Sequence, residues 1–138
     1  MGRMAQTAAR PPESEKVTIN LGYVDLGHID LLVQEGFYSN RTDFIRTAIR
    51  NQLDRQNEAV RQSLARQPFD LGLRTFSRAD LEAARAAGQP LHIRVIGLTT
   101  IAADVTPELA RAAIASIHSL GALQAGPDVK KALADRIA

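Results

Sequence analysis

The segment Lys16–Leu21, KVTINL, alternates strictly between polar and apolar residues, and helical spacing takes over immediately after it. Lys16, Thr18 and Asn20 fall on one face of a period-2 strand, and Val17, Ile19 and Leu21 on the other. One face calls for a core, the other for water or a polar partner. The backbone also needs a second strand to take its N–H and C=O groups, and nothing in the residues that follow, up to Leu53, reads as one.

Those residues read instead as two helices. From about Val24 to Glu35, Leu26, Ile29, Leu32 and Val33 recur at helical spacing, and Gly36 supplies a stop. Gly22 and Gly27 lower the helix propensity here and leave the start of this helix open. In SNRTDFIRTAI either Ser39 or Asn40 can cap a second helix, and Asn40 with Asp43 resembles a capping box. Ile45, Ala48, Ile49 and Leu53 then form an apolar stripe flanked by Phe44. The helical pattern can continue through EAVRQSLARQ and end before Pro68. Arg46, Arg50, Arg55, Arg61 and Arg66 drift around it, as solvated residues or partners of Asp54 and Glu58 do.

A strand and two helices are too little to enclose a core alone. Two chains related by a twofold axis resolve the problem: their strands pair as an antiparallel ribbon, and Val17, Ile19 and Leu21 pack onto four helices with Ile45 and Ile49. Lys16, Thr18 and Asn20 then occupy the outer face of a narrow ribbon. The major groove of B-DNA, about 12 Å wide, admits such a ribbon, and Asn, Thr and Lys can each address base edges. The amides opening the second helix, around Ser39, Asn40, Arg41 and Thr42, suit a phosphate.

Over about Lys16–Gln56 these features resemble the ribbon-helix-helix family, of CopG, Arc and MetJ type. The KVTINL strand, the EGFYSNRTDFIR turn with its capped helix, and the spacing between them carry the likeness. The turn is particularly similar to that of the family's nickel-responsive repressors. The resemblance implies an obligate dimer acting as a transcriptional repressor or antitoxin, with base contacts from Lys16, Thr18 and Asn20 and phosphate contacts from the amides near Ser39, Asn40 and Arg41.

A chain of 138 residues accommodates one domain or two small ones. Aromatic residues make up only 4% of it, so the core is expected to be aliphatic, and the absence of Cys excludes disulfides and thiolate metal sites. A net charge of +2 identifies no nucleic-acid binder by itself. No apolar run reaches the roughly 18 residues of a membrane span, and the polar start, MGRMAQTAARPPESE, reads as a flexible cytoplasmic arm over 1–15.

Beyond Pro68 the chain becomes Ala-rich and aliphatic. SRADLEAARAAGQP reads as a helix capped by Ser77 with Asp80 at N3, LHIRVIGLTTI as a strand, and TPELARAAIASI as a helix capped by Thr106. Laid over itself at an offset of 24, this half matches Ile93 with Ile117, Gly97 with Gly121, Asp104 with Asp128, Val105 with Val129 and Leu109 with Leu133, and weakly Asp80-Leu81 with Asp104-Val105. The pattern suggests repeated units of strand, glycine turn and helix with parallel strands; an irregular α+β domain is the alternative. Open ends would favour association with another copy.

The expectation is therefore an α+β chain: an arm (1–15), a ribbon-helix-helix domain (16–66) and a C-terminal α/β domain (67–138) for higher oligomerisation or partner binding. Its partners are double-stranded DNA and itself, not a membrane, and its place is the cytoplasm, on the nucleoid. An antitoxin whose C-terminal half binds a toxin, and a structural protein polymerising through that half, are the alternatives. No nucleophile elbow, phosphate loop or HExxH motif points to an enzyme. His28, His92 and His118 lack ligand spacing, so no metal or cofactor is expected.

Overall fold

The computed structural model describes residues 14–138, so the expected arm falls almost wholly outside the described residues. Two compact units stand out, Lys16–Gln67 and one containing Pro68–Ala138.

In the first unit Lys16–Leu21 is extended and has no strand partner among the described residues. Helix α1 (Tyr23–Gln34) follows and ends where Gly36, at φ 87°, takes the left-handed conformation. The Gly36 N–H donates to Val33 O at 3.1 Å and the Phe37 N–H to Leu32 O at 3.0 Å, a Schellman closure. Helix α2 (Arg41–Arg55) and helix α3 (Asn57–Arg66) meet at Gln56, which interrupts the expected continuous helix although neither Pro nor Gly marks the place.

The second unit alternates strand and helix: β1 (Asp70–Phe76), α4 (Arg78–Ala86), β2 (Leu91–Ile101), α5 (Pro107–Ala113), β3 (Ile114–Gln124) and α6 (Pro127–Ala132). The strands form one parallel sheet in the order β1-β2-β3. Helix α4 has a complete capping box: Asp80 N–H donates to Ser77 Oγ at 3.1 Å and Ser77 N–H to Asp80 Oδ2 at 2.9 Å. Thr106 accepts from the Leu109 N–H at 3.1 Å and sets the start of α5.

Three expectations need correction. The helix over TPELARAAIASI stops at Ala113, because Ile114 and Ile117 pair with Leu91 and Ile93 and complete the sheet. Gly97 and Gly121 sit in mid-strand at φ 137° and 119°, not in turns. The weak match of Asp80-Leu81 with Asp104-Val105 joins a helix to a loop, and β1 pairs with β2 at an offset of 25, Gly72 opposite Gly97. Between β2 and β3 the offset is 24 from His92 onward.

One face of the sheet carries the helices. Leu81, Val95, Ile114, Ile117 and Leu133 are fully enclosed there, and Leu109 and Val129 nearly so. Thr99 is the one buried polar residue among those described, and its hydroxyl lies 2.9 Å from Ser119 Oγ. Ser119 donates to Ala122 O, leaving Thr99 as donor in the pair, so burial leaves the Thr99 hydroxyl proton satisfied. At the outer edge of β3, Ile117 N–H donates to Arg136 O and Ala138 N–H to Ile117 O, while Arg136 reaches back to Arg111 O and Ile114 O.

Candidate nucleic-acid interface

Local sequence positions the candidate residues in two groups. Lys16, Thr18 and Asn20 alternate along the extended segment with their side chains exposed. The apolar residues between them are exposed too, Val17 at 78% and Ile19 at 62%. Ile29 is the single buried residue of α1, and α2 and α3 have none. Ile19 and Leu21 line a groove of about 470 Å³ with Ile29, Leu32, Ile45 and Ile49, so four of the five residues assigned to a dimer core face one apolar cleft. Val17 does not line it.

The second group is the start of α2. Asn40 caps it, its Oδ1 accepting from the Asp43 N–H at 2.8 Å. The reciprocal bond comes from Ser39, whose N–H donates to Asp43 Oδ2 at 2.9 Å. This corrects the expected box by one residue and takes the Ser39 amide out of the set available to a phosphate. The amides of Arg41 and Thr42 remain in the first turn, where a helix offers them no internal acceptor. With the helix dipole behind them they can receive an anion.

Sequence reasoning missed an ion pair that links the two helices. The Arg41 guanidinium donates two bonds of 2.8 Å to the two carboxylate oxygens of Asp30, joining the end of α1 to the start of α2. The hydrogen bonds from Arg41 hold the Asp30 carboxyl below the usual carboxylate range. Tyr38 packs edge-on against Phe44 with ring centres 5.0 Å apart, supporting the same turn. A bidentate pair separated by eleven residues leaves no periodic trace, and only the opposite charges hinted at it. Of the arginines read as solvated or paired, Arg61 lies 3.9 Å from Glu58 in an exposed pair.

Each histidine has its own neighbours. His28 lines the apolar groove, His92 lies 3.1 Å from Ser116 Oγ, and His118 packs against Phe69 with ring centres 5.1 Å apart. Among the described residues no three His, Cys, Asp or Glu side chains come together as a metal site would require, and no helix is long and apolar enough to cross a membrane.

Comparison with curated proteins and with solved structures finds no match for this chain. A family model described as the ribbon-helix-helix transcriptional regulator family matches residues 12–130, which takes in the extended segment, the helix pair and nearly all of the strand-helix unit. The chain therefore belongs to the ribbon-helix-helix transcriptional regulator family.

Proposed function

We propose that the chain is a sequence-specific DNA-binding repressor that acts as a dimer on the nucleoid. Two copies of Lys16–Leu21 pair antiparallel, and the ribbon enters the major groove. Lys16, Thr18 and Asn20 address base edges, while the Arg41 and Thr42 amides, with the Ser39 and Asn40 side chains, hold a phosphate on either side. The observation that carries this reading is a unit with no core of its own: an unpartnered extended segment beside an apolar groove, with Ile49 at 54% and Leu53 at 60% exposure. A twofold partner supplies the missing half of both the ribbon and the core. The C-terminal strand-helix units form a separate association module. Their enclosed core weighs against the alternative of a disordered tail that wraps a toxin.

Selection of duplexes from a random pool by the purified chain, beside a mass measurement in solution, tests the proposal. A dimer that recovers palindromic or tandem sites, with affinity falling steeply as salt rises, is the expected result. Asn20→Ala should cost about 1 to 3 kcal/mol of discrimination at one base position. A mutant with undiminished sequence choice refutes the assignment of Asn20.

A further inference from the structure

The helices of the C-terminal unit lie on one face of its sheet, whereas all-parallel sheets are as a rule covered on both. In register across the open face run the rows Leu71–Ile96–Leu120 and Leu73–Leu98–Ala122. Leu71, Leu73 and Leu120 remain 73%, 59% and 48% exposed. Beyond the first row, Arg94 sits opposite His118, its guanidinium 4.6 Å from the centre of the Phe69 ring; beyond the second, Thr75, Thr100 and Gln124 align. No carboxylate stands in these rows, and Arg94 is their only permanent charge.

We propose that this face is covered by the same face of the second chain of the ribbon dimer. The order of the rows supports a copy as the occupant. A twofold axis running across the strands between the two leucine rows lays Leu71 over the partner's β1 at its second row, and the bulky Leu120 over the small residue two places further along β3. The Arg94 row meets the neutral Thr-Gln row instead of another Arg94. A nucleic acid or an acidic peptide would find one cation already committed to an aromatic ring, and a basic partner would find no carboxylate. Three exposed leucines are few for free association, but the ribbon dimer tethers the two units and raises their effective concentration to about the millimolar range. The inference thus rests on the dimeric reading above.

The chain contains no Cys, so single-cysteine variants of the full chain report each contact separately. Leu71→Cys reports the sheet face and Thr18→Cys the ribbon, each treated with a bismaleimide spanning about 10 Å, the spacing of packed sheets. Both should yield covalent dimers from protein whose native mass is that of a dimer. Adding Leu73→Glu to the Leu71→Cys chain should reduce its trapping by about tenfold or more, with far-UV circular dichroism unchanged and Thr18→Cys trapping unaffected by the same Leu73→Glu change. Trapping through Thr18→Cys without trapping through Leu71→Cys overturns the proposal. So does a native tetramer that Leu73→Glu converts to a dimer, since the face would then join separate dimers. Monomeric protein with neither cross-link removes the ribbon dimer itself and this inference with it.

Discussion

Replacing Gly97 by Ala tests the parallel sheet where it is least tolerant. Gly97 has φ 137°, a region essentially closed to residues with a side chain, and a Cβ built there lies 2.1 Å from Gly72 O on β1. The conformation alone costs about 1 to 3 kcal/mol. The clash is with backbone, so it cannot be relieved by a rotamer change: β1 must move away from β2 and give up one or two ladder hydrogen bonds at about 1 kcal/mol each. A total of about 2 to 5 kcal/mol follows, a large share of a small unit's stability. Gly121 should behave alike, since its added Cβ meets Gly97 O at 2.2 Å. Gly72 is the control: it has φ 114° but nothing within 4 Å of an added Cβ, so Gly72→Ala should show the conformational cost alone. Urea unfolding of the full chain, followed by circular dichroism through the transition of the C-terminal unit, measures all three. In thermal unfolding each 1 kcal/mol should appear as a shift of about 4 to 8 °C. Gly97→Ala no more destabilising than Gly72→Ala would refute the close approach of the strands.

Ile49→Asp should dissociate the proposed dimer and abolish DNA binding while leaving the C-terminal transition in place; sedimentation showing an intact dimer would contradict the proposed core. Ser77→Ala breaks the capping box of α4 and should cost about 1 kcal/mol in the C-terminal transition, whereas Asn40→Ala should cost a similar amount in the N-terminal unit and weaken binding equally for all duplexes. In acid, Asp30, Asp80 and Asp135 share one sign: each has a folded pKa below its unfolded one, held down chiefly by hydrogen bonds from the Arg41 side chain, the Ser77 backbone and the Arg111 side chain respectively. Their stabilisation is fully present above the ordinary carboxylate value of about 4 and is lost as pH falls through the lower folded values. Asp30→Asn should flatten that limb for the N-terminal unit, and a limb of unchanged steepness would show that the pair with Arg41 contributes nothing.

Where structure follows from neighbours in sequence, the residues announced it. Asn40, Ser77 and Thr106 are caps because their side chains meet amides three residues on, and Gly36 ends a helix because it alone tolerates φ 87°. The start of β3 was hidden because Leu109, Ala110, Ala113, Ile114 and Ile117 carry helical spacing, and all five are buried; the repeat at an offset of 24 pointed to a strand only from Ile117 onward. What divides them between α5 and β3 is pairing with β2, a contact that local spacing does not encode. β1 was missed for a similar reason: Asp70 and Gly72 disfavour a strand, and the ladder with Val95–Ile101 overrides them. The offset of 24 was visible because residues at equivalent positions, Ile93 with Ile117 and Leu109 with Leu133, occupy equivalent enclosed sites. At the candidate interface, the alternation in KVTINL named both faces, but the engagement of the Ser39 amide by Asp43 and of the Arg41 side chain by Asp30 depends on how the turn folds back.

The two margins of the sheet differ in how they would tolerate gene duplication. Arg136, Ile137 and Ala138 are laced along β3, so a new strand-helix module on that side would first have to peel them off. β1 is the other edge strand, and among the described residues its outer side pairs with no further strand. Lengthening of this protein by internal copying is therefore favoured between α3 and β1, where each added module finds an open ladder and leaves another behind it.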